Sequence, residues 1–173
     1  MGAAFVGKIC VFVSLLAPPL QNARLLRNIA KEKEKYDRAA NAVDRAKAVP
    51  KLGRDEYKAA QEALKAGDRE AALQFLKAYN DQAIGAHQQL EKAVAHPEKH
   101  SNGFRQLQIS VRERARELKY LTSRVTFNHR EPFEELQKGL DALNQKLILE
   151  LFPRRPLHQK KKEKKHNIGS PEE

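Results

Sequence analysis

Apolar residues recur along this chain at intervals of three, four and seven from about residue 24 onward, the spacing of one face of an α-helix rather than the alternation of a strand. The clearest run is Phe104, Val111, Leu118 and Val125, spaced by sevens, with Leu107 and Leu121 at the alternate positions. It predicts an amphipathic helix in the pattern of a coiled-coil seam, interrupted only by Arg114. The pattern repeats at Phe133, Leu140 and Leu147, joined by Leu136 and Leu143. Pro132 suits the first helical position, where its missing N–H costs nothing. The tight connection from Asn128 to Glu131 predicts that these two helices form an antiparallel hairpin.

Three helices are expected upstream. One runs from about Arg24 to Ala48 with Leu26, Ile29, Tyr36, Ala40 and Val43 inward, and Pro50 and Gly53 end it. A short one follows from about Asp55 to Ala66, with Tyr57, Ala60 and Leu64 inward and Gly67 at the left-handed C-cap position. Asp68 then caps a long helix reaching about Ala95, with Ala72, Leu76, Tyr79, Ala83, Ala86, Leu90 and Ala93 on its seam and Pro97 as the stop. The segment HPEKHSNG is loop chemistry, with Ser101 or Asn102 placed to cap the next helix. The prediction is therefore an all-α antiparallel bundle of four long amphipathic helices plus one short helix, spanning residues 24–152.

The stretch ALKAGDREAALQFLKAY, residues 63–79, resembles half of a tetratricopeptide repeat through its Gly67-Asp68 turn and Ala71, Phe75 and Ala78. The likeness covers one hairpin, with no second copy at a period of about 34 residues. Helix-turn-helix chemistry accounts for it, and no ligand site follows.

The two ends of the chain read differently. Residues 1–23 have the layout of a secretory signal peptide: Lys8 in a short leading region, an apolar run from Ile9 to Leu16, a Pro18-Pro19 break and the small residue Ala23. That run is too short for a membrane span, which needs about 20 residues. Residues 153–173, PRRPLHQKKKEKKHNIGSPEE, are nearly devoid of apolar side chains and predict a disordered basic tail.

Composition agrees with a helical fold: Ala, Glu, Lys, Leu, Gln and Arg dominate, with only 6% aromatic residues and no Trp. The formal net charge of +11 makes an anionic partner attractive. Candidate contacts are Arg105, Arg112, Arg116 and Lys119, a flanking stripe of the fourth helix, together with Arg154, Arg155, Lys160, Lys161, Lys162, Lys164 and Lys165 of the tail. Such runs neutralise phosphates on nucleic acid or anionic lipid. Because no aromatic residues interleave with the basic ones to stack on bases, the plainer reading of the stripe and the tail is a solvated helix face and a solubilising tail, and nucleic acid is possible but not favoured.

Catalytic chemistry finds no footing in the pattern. The single cysteine, Cys10, lies in the apolar N-terminal segment, and neither a nucleophile elbow nor a glycine-rich phosphate loop is present. His96 and His100 have a helical metal-ligand spacing, but Pro97 between them removes the helix. His87 reads as a helix-surface residue and His129 as a loop residue. No catalytic residue, cofactor or metal is expected. The reading that follows is an exported, periplasmic or secreted, non-catalytic bundle acting through contacts with a protein or an envelope polymer. The alternative is a polyanion binder, cytoplasmic or secreted, using the tail and the helix-four stripe. Seam-mediated homo-oligomers are a further expectation. N-terminal sequencing of protein expressed in a bacterium from the native start should find a mature chain beginning between Pro18 and Arg24. An intact Met1 or Gly2 on a cytosolic product would contradict export.

Overall fold

The computed structural model describes residues 20–153, and these form five α-helices: α1 Leu20–Asp37, α2 Ala42–Lys65, α3 Arg69–Ala93, α4 Phe104–Arg124 and α5 Glu131–Leu151. A 3-10 turn, Phe127–His129, joins the last two. The fold is all-α, as expected, but none of the five is short. No helix among the described residues is long and apolar enough to cross a membrane. Helices α2 to α5 make a four-helix core in which α2 flanks α3 and α4, and α5 closes the far side against the same two. Helix α1 packs along α2.

The first break differs from the expected one. Pro50 and Gly53 both lie inside α2, and the chain turns earlier, between Asp37 and Ala42. Asn41 starts α2 by accepting from the Asp44 amide at 2.8 Å, and its own amide group donates to Asp44 at 2.8 Å. Arg45 finishes α1 by donating to the Tyr36 carbonyl at 3.2 Å, with its guanidinium 5.6 Å from the Tyr36 ring centroid. Pro50 removes one helical hydrogen bond, a loss of roughly 3 kcal/mol in an isolated helix. The full burial of its neighbours Ala46, Val49 and Leu52 offsets that loss. Gly53 is required by packing: any Cβ there would overlap the ring of Tyr79 on α3.

The face of α1 also differs. Tyr36 is buried and Ile29 half-buried as expected, but Leu25 and Glu32 are buried with them, whereas Leu26 is 49% exposed. The residues Tyr57, Ala60, Ala72, Leu76, Tyr79, Ala83, Ala86 and Leu90 are buried as anticipated, while Leu64 is half-buried and Ala93 exposed.

Gly67, at φ +81°, closes α2 in a Schellman arrangement: Asp68 N–H donates to Ala63 O at 2.9 Å and Gly67 N–H to Leu64 O at 3.1 Å. Asp68 then caps α3 by accepting from the Ala71 amide at 2.9 Å. Gly103, not Ser101 or Asn102, precedes α4; its φ of +89° excludes side chains that a Ser or Asn cap would bring. Its amide donates to the side chain of Gln106 at 2.7 Å. Pro132 occupies the second position of α5, not the first.

The α4 seam residues Phe104, Leu107, Val111, Leu118, Leu121 and Val125 are all buried, as are Phe133, Leu140, Leu143 and Leu147 on α5. They are covered within one chain. Arg114, the one break in the α4 seam, is buried as well. It donates to Glu117 at 2.6 Å and lies with its guanidinium 5.4 Å from the Tyr57 ring centroid.

Two buried carboxylates are handled in opposite ways. Glu32 lies 2.8 Å from both Lys35 and Lys51, and these hydrogen bonds hold it below the usual carboxylate range. Glu56 has one partner, the side-chain amide of Gln82 at 2.7 Å. Burial pushes its carboxyl up to about 7, against the opposing effects of Gln82 and Lys33 of α1; Asp55 beside it adds to the rise. Glu56 Oε2 and Gln82 Oε1 are buried without partners. Protonation of Glu56 removes the buried charge and gives its carboxyl a hydrogen to donate. The folded state therefore binds a proton that the unfolded chain releases near 4.5. That stabilisation is complete below the unfolded value and is lost as pH rises through about 7. Between pH 5 and 9 the unfolding free energy of the wild type should fall relative to that of Glu56→Gln by up to about 3 kcal/mol, read from denaturant titrations. Parallel pH profiles for the two proteins would refute the assignment.

Candidate functional site

Helix α4 carries its inward residues at 104, 107, 110, 111, 114, 115, 118 and 121, and this phase fixes what points away from the core. Arg105, Arg112, Arg116 and Lys119 lie on the stripe that the heptad spacing anticipated; Arg105, Arg112 and Arg116 are exposed and Lys119 shares their outward face. None of the four is within ion-pair distance of a carboxylate among the described residues. The two acids of the same helix are drawn elsewhere: Glu117 is 2.6 Å and Glu113 3.5 Å from Arg114. Burial raises the Glu117 carboxyl, and Arg114 opposes that rise.

Apolar side chains accompany these cations. Arg105, Gln108 and Arg112 line a cleft of about 620 Å³ with Ile148, Leu151 and Phe152 at the end of α5 and with Glu98 and Ser101 of the preceding connection. Phe152 is 71% exposed. Toward the other end of α4, Tyr120 is 59% exposed, with the Arg124 guanidinium 5.5 Å from its ring centroid. An aromatic ring therefore does stand among the basic residues of α4, contrary to expectation. Its visibility depended on knowing that position 120, next to the buried Leu121, faces outward. The tail residues Arg154, Arg155, Lys160, Lys161, Lys162, Lys164 and Lys165 lie outside the described residues, as does the apolar run before residue 20.

A second constellation was not anticipated. His87 on α3 is buried, not on the surface, and packs edge-on against Phe104 with ring centroids 6.3 Å apart. Its Nε2 faces both oxygens of Glu150 on α5, at 2.8 and 3.0 Å, and its Nδ1 lies 3.4 Å from Glu91. Glu91 also pairs with Lys146 at 2.7 Å. That hydrogen bond is the main reason the Glu91 carboxyl sits below its usual range and the Lys146 ammonium above its own. The local signal was His87 and Glu91 four residues apart on one helix face. The missing part was Glu150, which only the packing of α5 against α3 supplies. His96 and His100 fall in the connection after α3, and His96 lies 3.3 Å from Glu98. His129 ends the 3-10 turn.

Compared with protein-family models, with curated proteins and with solved structures, the chain matches none.

Proposed function

We propose that this protein is a non-catalytic binding module whose ligand is an anionic polymer or surface, taken up on the outward face of α4. The observation that carries the reading is the shared outward placement of Arg105, Arg112, Arg116 and Lys119, while the acids of the same helix are committed to Arg114. Cations without a carboxylate partner among the described residues can neutralise phosphates or other acidic groups and release the counterions condensed on the polyanion, which favours binding at low salt. Exposed Phe152 and Tyr120 supply apolar surface beside them. The tail, basic throughout its middle, is proposed to add affinity without adding stability, since its sequence has no apolar face with which to dock.

Export is the second part of the proposal and rests on the signal-like pattern of residues 1–23. In that setting the anionic partner is an envelope polymer or the lipid surface itself.

The test is a low-salt titration of the full chain against a DNA duplex and against anionic vesicles. Arg105→Gln, Arg112→Gln, Arg116→Gln and Lys119→Gln combined should weaken binding even with the tail present. For DNA the log-log salt slope should become shallower by about one unit for each phosphate that the variant no longer neutralises. Truncation before Pro153 should weaken binding while leaving the melting point nearly unchanged. Equal affinity of the quadruple variant and the wild type would remove α4 from the site.

A further inference from the structure

The α3–α5 cluster carries a donor set that anion binding on α4 does not use. His87 offers an imidazole nitrogen, and Glu91 and Glu150 each offer a carboxylate oxygen. One ligand atom from each lies within 4.8 Å of the other two. His87 and Glu91 share a helix face because they are one turn apart, and α5 brings in Glu150 from the opposite side. Around a tetrahedral ion bonded to nitrogen and oxygen at about 2.0–2.2 Å, neighbouring donors stand roughly 3.3–3.5 Å apart. The Glu150 oxygens are 2.8 and 3.0 Å from Nε2, so a shift of a few tenths of an ångström opens that gap. Glu91 is the more exposed carboxylate and opens the cluster to solvent, an entry path for an ion. The imidazole itself is held by burial and by its perpendicular contact with the Phe104 ring.

We propose that His87, Glu91 and Glu150 bind a divalent cation of the zinc type, through one imidazole nitrogen and one oxygen from each carboxylate. The mixed nitrogen and oxygen set suits such an ion, whereas magnesium demands an all-oxygen octahedron. Lys146 is the competitor. Its ammonium, 2.7 Å from Glu91, occupies the carboxylate that the ion must engage. Because the ligands come from two helices, the bound ion staples α5 to α3 and stabilises the folded state by mass action.

Cobalt(II) and zinc(II) are the probes, used on the full chain. Cobalt should give visible bands of a four-coordinate site that zinc displaces, and zinc should raise the melting point. Glu91→Gln and Glu150→Gln, both at partly exposed positions, should each lose tenfold or more in affinity while keeping the helical circular dichroism of the wild type. Lys146→Met leaves all three ligands in place and should bind several-fold more tightly. Cobalt spectra and zinc affinity unchanged by Glu150→Gln would assign the ion to exposed histidines elsewhere and overturn the proposal. The absence of any cobalt bands, or an unchanged affinity in Lys146→Met, would overturn it equally.

Discussion

The ring of Tyr79 lies where three helices meet, and the arrangement of the core depends on its place. On one side, Gly53 of α2 leaves no room for a side chain of its own. Beside it, Tyr57 packs edge-on at 5.4 Å between centroids. At its tip, the phenol hydroxyl lies 3.0 Å from Ser110 Oγ on α4. Burial raises the Tyr79 hydroxyl out of its ordinary titration range, so it remains a neutral partner at any physiological pH. A close helix approach on one side and a directional bond on the other thus set both the distance of α2 from α3 and the rotation of α4. With Ser110 turned inward, the helical period carries Arg105, Arg112, Arg116 and Lys119 to the solvent side. The proposed binding face is in this sense a consequence of the core.

Polar groups inside the bundle follow one rule, that a buried charge needs a counter-charge or must be neutral. Glu32 satisfies it with two lysines, one of which ties α1 to α2. Arg114 satisfies it with Glu117 and the face of Tyr57. Glu56, offered only an amide, satisfies it by holding its proton below about pH 7. His87 is placed between two carboxylates, Glu91 of its own helix and Glu150 of α5. Drawing Glu113 and Glu117 toward Arg114 has a second effect, for it leaves the neighbouring cations of α4 outside ion-pair distance of any described carboxylate.

Periodicity made the hairpin of α4 and α5 legible, because long seams with few polar interruptions admit one helical phase. The turn at Gly67 and Asp68 was legible for a related reason: a left-handed position followed by an N-cap has few other readings. Pro50 and Gly53 misled for opposite reasons. The proline costs a local hydrogen bond that buried neighbours outweigh, and the glycine serves close packing with Tyr79 rather than termination. The true break at Asn41 carries no proline or glycine, and its stabilisation by Arg45 involves the carbonyls of the preceding helix, which local propensity does not register. The α4 stripe was readable from spacing alone. Tyr120 follows from the same helical phase, whereas Phe152 beside the stripe and Glu150 beside His87 and Glu91 required helix packing across dozens of residues.

The proposed function stands or falls on whether anions bind the outward face of α4. Amide chemical-shift mapping of the isotopically labelled full chain, titrated with a short polyanion at low salt, decides this. Shifts should concentrate between Arg105 and Lys119 and extend to Phe152 and the tail, with α1 and α2 quiet. Shifts confined to the tail, or centred on α1 and α2, would contradict binding at α4.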